Sequence, residues 1–158
     1  MGTEIERKFL VKDDSWRQQA GRGVWLRQGY LAAGAGLSVR VRTDGDHAWL
    51  TIKGPSHGLS RVEFEYAVPP EDAAGLLALC GPRLVEKHRH RLEASGHVWE
   101  IDEFHGANAG LVMAEVELTR ADEPVARPAW LGREVSDDPR FLNASLSRSP
   151  YASWGPVT

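Results

Sequence analysis

The chain has 158 residues, 42% of them hydrophobic and 26% charged, with a formal net charge of −3. That length suits a single domain with a substantial core. The charge balance argues against a binder of nucleic-acid duplexes, and the lack of any apolar run of about 18 residues argues against a membrane-spanning helix. With Cys80 the only cysteine, no internal disulfide is possible, and its apolar surroundings (Leu76 to Leu79) point to a buried, inert thiol. The N-terminus has no basic region followed by an apolar stretch, so a cytoplasmic location is expected.

Strand-like segments dominate. In chain order they are predicted at Glu4–Val11, Val24–Leu31, Leu37–Arg42, Ala48–Lys53, Arg61–Ala67, Val85–Leu92, Val98–Phe104 and Leu111–Leu118. Turn-forming stretches such as Asp44-Gly45-Asp46 and His105-Gly106-Ala107-Asn108 separate them. Helices are predicted over Glu71–Cys80, between Pro69-Pro70 and Gly81-Pro82, and over Pro139–Ser147, after Ser136-Asp137-Asp138. A turn of helix is placed at Ser15–Gln19. Short strands with brief connections give a β-dominated α+β protein, an antiparallel sandwich or barrel. The domain is expected over residues 1–148, with a loosely held tail over 149–158.

Successive side chains of a strand point to opposite faces, so each segment divides into two rows. Glu4, Glu6 and Lys8 share one row, with Ile5 and Phe9 opposite. Arg40 and Arg42 oppose Val39 and Val41, and Thr51 and Lys53 oppose Leu50 and Ile52. Arg61, Glu63 and Glu65 oppose Val62, Phe64 and Tyr66. Lys87, Arg89 and Arg91 form a basic row, which turns His88 and His90 the other way. Glu100 and Asp102 oppose Trp99 and Ile101, while Glu115 and Glu117 oppose Val116 and Leu118. Acid-rich and base-rich strands are distinct, with Lys8 the main mixed case. Like charges side by side are unfavourable unless an ion of opposite sign lies among them. Two readings stay open: an ordinary sheet with its polar face in water, or charged rows that surround a metal-bound polyphosphate.

The run Glu4-Ile5-Glu6-Arg7-Lys8 resembles the Glu-x-Glu-x-Lys signature of the CYTH superfamily, also called triphosphate tunnel metalloenzymes. Further segments follow in that family's order: Gln28-Gly29-Tyr30-Leu31, Arg40-Val41-Arg42, Thr51-Ile52-Lys53-Gly54, Arg61-Val62-Glu63-Phe64-Glu65, Glu86-Lys87-His88-Arg89, Glu100-Ile101-Asp102 and Glu115-Val116-Glu117. Glu134-Val135-Ser136 to Phe141-Leu142-Asn143 is similar to the terminal helix of small bacterial members. The resemblance spans about Thr3 to Leu146.

It implies a closed eight-stranded antiparallel barrel around a hydrophilic tunnel, with a few covering helices and a C-terminal helix. It assigns Lys8, Arg40, Arg42, Lys53, Lys87 and Arg89 to phosphate oxygens. Divalent cations, Mg²⁺ or Mn²⁺, fall to Glu4, Glu6, Glu115 and Glu117, with Glu63, Glu65 and Asp102 as further ligands or water holders. Lys87, beside Arg89 and Arg91, and the hydroxyl of Tyr30 are the candidates to assist the attacking water or the leaving group. The implied activity is hydrolysis of inorganic tripolyphosphate to pyrophosphate and phosphate, by a monomer or homodimer. The alternatives are an organic-triphosphate enzyme of the same family (a class IV adenylate cyclase or a thiamine triphosphatase) and a module that binds polyphosphate or nucleotide without turnover.

Overall fold

The computed structural model describes residues 2–82 and 84–155. Eight strands carry the fold: β1 (Gly2–Val11), β2 (Val24–Gly34), β3 (Leu37–Thr43), β4 (Ala48–Lys53), β5 (Ser60–Val68), β6 (Val85–Ala94), β7 (His97–Phe104) and β8 (Val112–Glu117). Around the sheet they run β5-β4-β3-β2-β6-β7-β8-β1, and β1 pairs back onto β5, so the sheet closes into an antiparallel barrel. The strands begin and end within about three residues of the expected positions. β2 and β6 run further because tight turns finish them: Ala35-Gly36 and Ser95-Gly96 both have positive φ, as a two-residue turn between right-twisted strands requires.

A ninth strand, β9 (Leu131–Glu134), was not expected. β1 pairs with β5 only through Gly2–Ile5, and β9 lies along β1 at Phe9 and Val11. Gly132 makes that approach possible: a Cβ there would lie 2.8 Å from the carbonyl oxygen of Leu10.

The two expected helices are shorter than predicted. Each opens with a 3-10 turn, followed by α1 (Ala73–Leu79) or α2 (Asn143–Arg148). α1 covers β2 and β3 and comes close because Gly29 has no side chain; a Cβ there would lie 2.7 Å from Cβ of Cys80. Over β1, β7 and β8 the cover is not a helix. Trp16, in a 3-10 turn (Ser15–Gln18), and Trp130, in the irregular segment before β9, are buried with Phe9, Trp99, Ile101 and Val116. Trp99 meets both Phe9 and Trp130 edge to face.

The barrel interior has two parts. Directly opposed residues on antiparallel strands share a face, so Phe104 opposite Lys87, Met113 opposite Asp102 and Leu10 opposite Met113 all point inward. These apolar groups, with Val85, fill one end, where Phe141 and Leu146 of the C-terminal segment close over them. The charged rows line the remainder. Residues 149–155 depart from the expected loose tail. Trp154 meets Phe141 and Tyr151 edge to face, and the backbone N–H of Tyr151 donates to Asn108 Oδ1 at 2.9 Å. The last three residues of that tail lie outside the described residues. No described helix is long and apolar enough to cross a membrane.

Candidate active site

The order of the strands sorts the charges. β7, β8, β1 and β5 are consecutive around the barrel and carry the acidic rows; β4, β3, β2 and β6 complete the circle and carry Lys53, Arg40, Arg42, Lys87 and Arg89. The interior therefore has an acidic wall facing a basic wall. At the two seams opposite charges are cross-strand neighbours: Lys53 against Glu63 at β4–β5, and Arg89 against Asp102 at β6–β7. Within the acidic wall Glu6 stands opposite Glu117 and Glu100 opposite Glu115, pairings that destabilise a sheet unless a cation joins them.

The walls enclose a cavity of about 520 Å³ lined by seven glutamates and eight lysines or arginines. Its volume lies within the usual range for small-ligand sites. Of the residues picked out from sequence, Glu4, Glu6, Lys8, Tyr30, Arg40, Arg42, Lys53, Glu63, Glu65, Lys87, Arg89, Glu115 and Glu117 all line it. His88 and His90 face outward, His88 against Trp25 and His105 and His90 against Trp16.

Asp102 is the exception. It is fully buried behind the cavity wall, with Oδ1 2.7 Å from Arg89 Nε and Oδ2 2.8 Å from both Arg89 Nη2 and Lys87 Nζ. Both oxygens face Arg89 or Lys87 here, and Asp102 does not line the cavity. Although burial alone would raise its pKa, Arg89 and Lys87 hold the carboxyl far below the usual range. Burial pushes Lys87 the other way, down to about 7, with Arg89 and Arg42 adding to the shift and Asp102 opposing it. Arg42 is lowered to about 9 by burial and by Arg40 and Arg89, still charged at neutral pH. Lys8 ends above its ordinary value because Glu115, Glu6 and Glu4 outweigh its burial.

Lysines sit among the glutamates. Lys8 Nζ lies 3.6 Å from Glu6 and 3.7 Å from Glu115; Lys53 Nζ lies 2.8 Å from Glu4 and 3.4 Å from Glu63. Among the described residues, no three carboxylates or imidazoles are already gathered as a metal cluster. The donor set nevertheless fits a divalent cation. Burial raises Glu6, with Glu4 adding to it, and burial followed by Glu4, Glu6 and Glu100 raises Glu117. Glu4 Oε2 is buried without a hydrogen bond, since Lys53 approaches it off the bonding direction. The basic wall has the counterpart: Arg40 Nε is buried and has no acceptor.

Two polar residues outside the charged rows complete the site. Gln28 is fully buried, accepts from Arg42 Nε at 2.9 Å and reaches the Tyr30 hydroxyl at 3.2 Å. Asn143 Oδ1 accepts from Lys87 Nζ at 2.9 Å. Gln28 lies in phase with Tyr30 on β2, a signal available beforehand; nothing in the sequence near Asn143 pointed to Lys87. Arg148, at the end of α2, lines the cavity too.

The family model of the CYTH domain matches residues 2–146. The chain belongs to the CYTH family. A curated inorganic triphosphatase of Acetivibrio thermocellus is 45% identical over 155 residues, covering 98% of this CYTH chain and 99% of that one. Another, from Nitrosomonas europaea, is 36% identical over 151 residues, covering 93% and 98%. The crystal structure of an inorganic triphosphatase superposes with a TM-score of 0.66 at 31% identity, covering 90% of this chain and 96% of that one.

Proposed function

We propose that this CYTH protein is a divalent-metal-dependent hydrolase that cleaves inorganic tripolyphosphate to pyrophosphate and phosphate within the barrel. The observation that carries this reading is the division of one enclosed cavity into facing acidic and basic walls. Relatives named inorganic triphosphatase over nearly their whole length support it.

Arg40, Arg42, Lys53, Lys8, Lys87 and Arg89 bind the phosphate oxygens. The guanidinium groups serve as flat double donors and the lysines as compact charges. A polyanion offsets the burial of Arg42 and the repulsion from Arg40 and Arg89 that adds to it, and gives the orphaned Arg40 Nε its acceptor. Glu4, Glu6, Glu115 and Glu117 hold the divalent cation, with Glu63 and Glu65 beside them. Their hard oxygens favour Mg²⁺ or Mn²⁺, which when bound neutralises charge on the phosphates.

Phosphoryl transfer asks a protein mainly for placement and charge stabilisation. Lys87 is poised near neutrality. As a free amine it takes a proton from the attacking water while the water oxygen bonds to the terminal phosphorus and the bond to the pyrophosphate oxygen breaks. Tyr30, whose oxygen accepts from Gln28, keeps its own O–H for a phosphate oxygen. Asp102 holds Lys87 and Arg89 in place rather than touching the cation.

The test is phosphate release from tripolyphosphate, ATP and thiamine triphosphate with Mg²⁺ or Mn²⁺, repeated with Glu6→Gln and Lys53→Ala. Tripolyphosphate is expected to be the preferred substrate, with both variants impaired. A preference for an organic triphosphate, or tight binding without any phosphate release, would overturn the assignment.

A further inference from the structure

Lys87 is held from one side by a residue that belongs to no strand. Asn143, the first residue of α2, sets its Oδ1 2.9 Å from Lys87 Nζ and 3.2 Å from Nε2 of the buried Gln28. Two donors on one oxygen fix which end of the amide is which, because a flipped amide would confront both with hydrogens. Nδ2 donates to no protein group among the described residues, and Asn143 lines the cavity.

The consequence concerns the shape of the amine. A neutral amine has two hydrogens and one lone pair. Asn143 Oδ1 at 2.9 Å accepts one hydrogen, and the Asp102 carboxylate, an ion-pair contact at 2.8 Å, draws on the other, so together they confine the direction of the lone pair. Without Asn143 the amine turns about its last bond with only Asp102 to hold it, and the lone pair loses its aim. Gln28 extends the same restraint to Arg42 and to the Tyr30 hydroxyl.

We propose that Asn143 is a positioning residue for the reaction: it aims the lone pair of Lys87 and makes that aim depend on the seating of α2 against the barrel. This rests on the reading of Lys87 as the base, and it extends the site to the C-terminal segment.

The experiment uses the full chain with Mg²⁺ and tripolyphosphate, comparing wild type, Asn143→Ala and Asn143→Asp. Asn143→Ala is expected to lose on the order of 10- to 100-fold in kcat with KM close to wild type. The rising limb of its kcat–pH profile should move to lower pH, because an acceptor that favours the ammonium is gone. Asn143→Asp keeps the acceptor and adds a negative charge, so its limb should move to higher pH and its kcat should recover above that limb. Limbs that stay in place while both variants lose melting temperature and kcat together would make Asn143 merely structural and overturn the proposal. Titration of the Lys87 side-chain nitrogen by NMR separates this from the assignment of function. If wild type releases no phosphate, the triphosphatase reading fails alone provided the Lys87 midpoint still shifts in opposite directions in the two variants. If the midpoint does not move, the role of Asn143 fails as well.

Discussion

Asp102→Asn tests whether that carboxylate holds the two cations beside it or ligates the catalytic metal. It leaves the shape of the side chain intact and removes a fully buried charge that accepts from Arg89 through both oxygens and is ion-paired with Lys87. Breaking a buried ion pair by removing one partner costs about 3–5 kcal/mol, and an amide that still accepts one bond puts this case near the lower end, about 3 kcal/mol. For a chain of this size each kcal/mol is worth about 2–4 °C, so thermal melts should show a loss of about 6–12 °C. Tripolyphosphate should recover more melting temperature in the variant than in wild type, because it supplies negative charge to the abandoned Arg89 and draws the proton back onto Lys87. The Mg²⁺ concentration for half-maximal activity should stay close to wild type. An unchanged melting temperature together with a severalfold higher Mg²⁺ requirement would refute the reasoning and make Asp102 a metal ligand, as the family resemblance implied.

Three further outcomes follow from the geometry. Lys87→Met should lower kcat by about 10²- to 10⁴-fold with a smaller effect on KM, and should abolish the rise in kcat expected of wild type as Lys87 loses its proton near pH 7; a rising limb that survives in the variant assigns it to another group. Glu117→Gln removes one of the carboxylates that raise each other's pKa. Melts of the metal-free protein should hold or gain temperature while metal titrations demand more Mg²⁺, and an unchanged requirement excludes Glu117 from the cation site. Gly29→Ala drives a methyl group into Cys80 and should cost about 1–3 kcal/mol in urea unfolding, whereas a neutral result means α1 can lift away from β2 freely.

The alternation of charged and apolar residues carried most of the fold, because a closed barrel with a polar interior imposes a period of two on every strand. The rows at Glu4 to Lys8, Arg40 to Arg42 and Glu115 to Glu117 needed no tertiary information to be recognised. What periodicity cannot supply is height along the barrel. Glu100 and Asp102 occupy equivalent positions in one row, yet Glu100 lines the cavity while Asp102 lies behind it, a step nearer the apolar end. Cross-strand register makes that difference, by setting Asp102 against Arg89 and Met113. β9 escaped notice because four residues around a glycine lack the pattern of a strand and depend on β1 for their pairing. Asn143 was hidden for a related reason: its partner Lys87 lies 56 residues away, and only the folded C-terminal segment brings the two together.

The apolar end gives the bore the topology of a blind alley. With Val85, Phe104 and Met113 packed under Phe141 and Leu146, that end offers a product fragment no exit. On the proposed reaction the fragment lodged deeper would follow the outer one out.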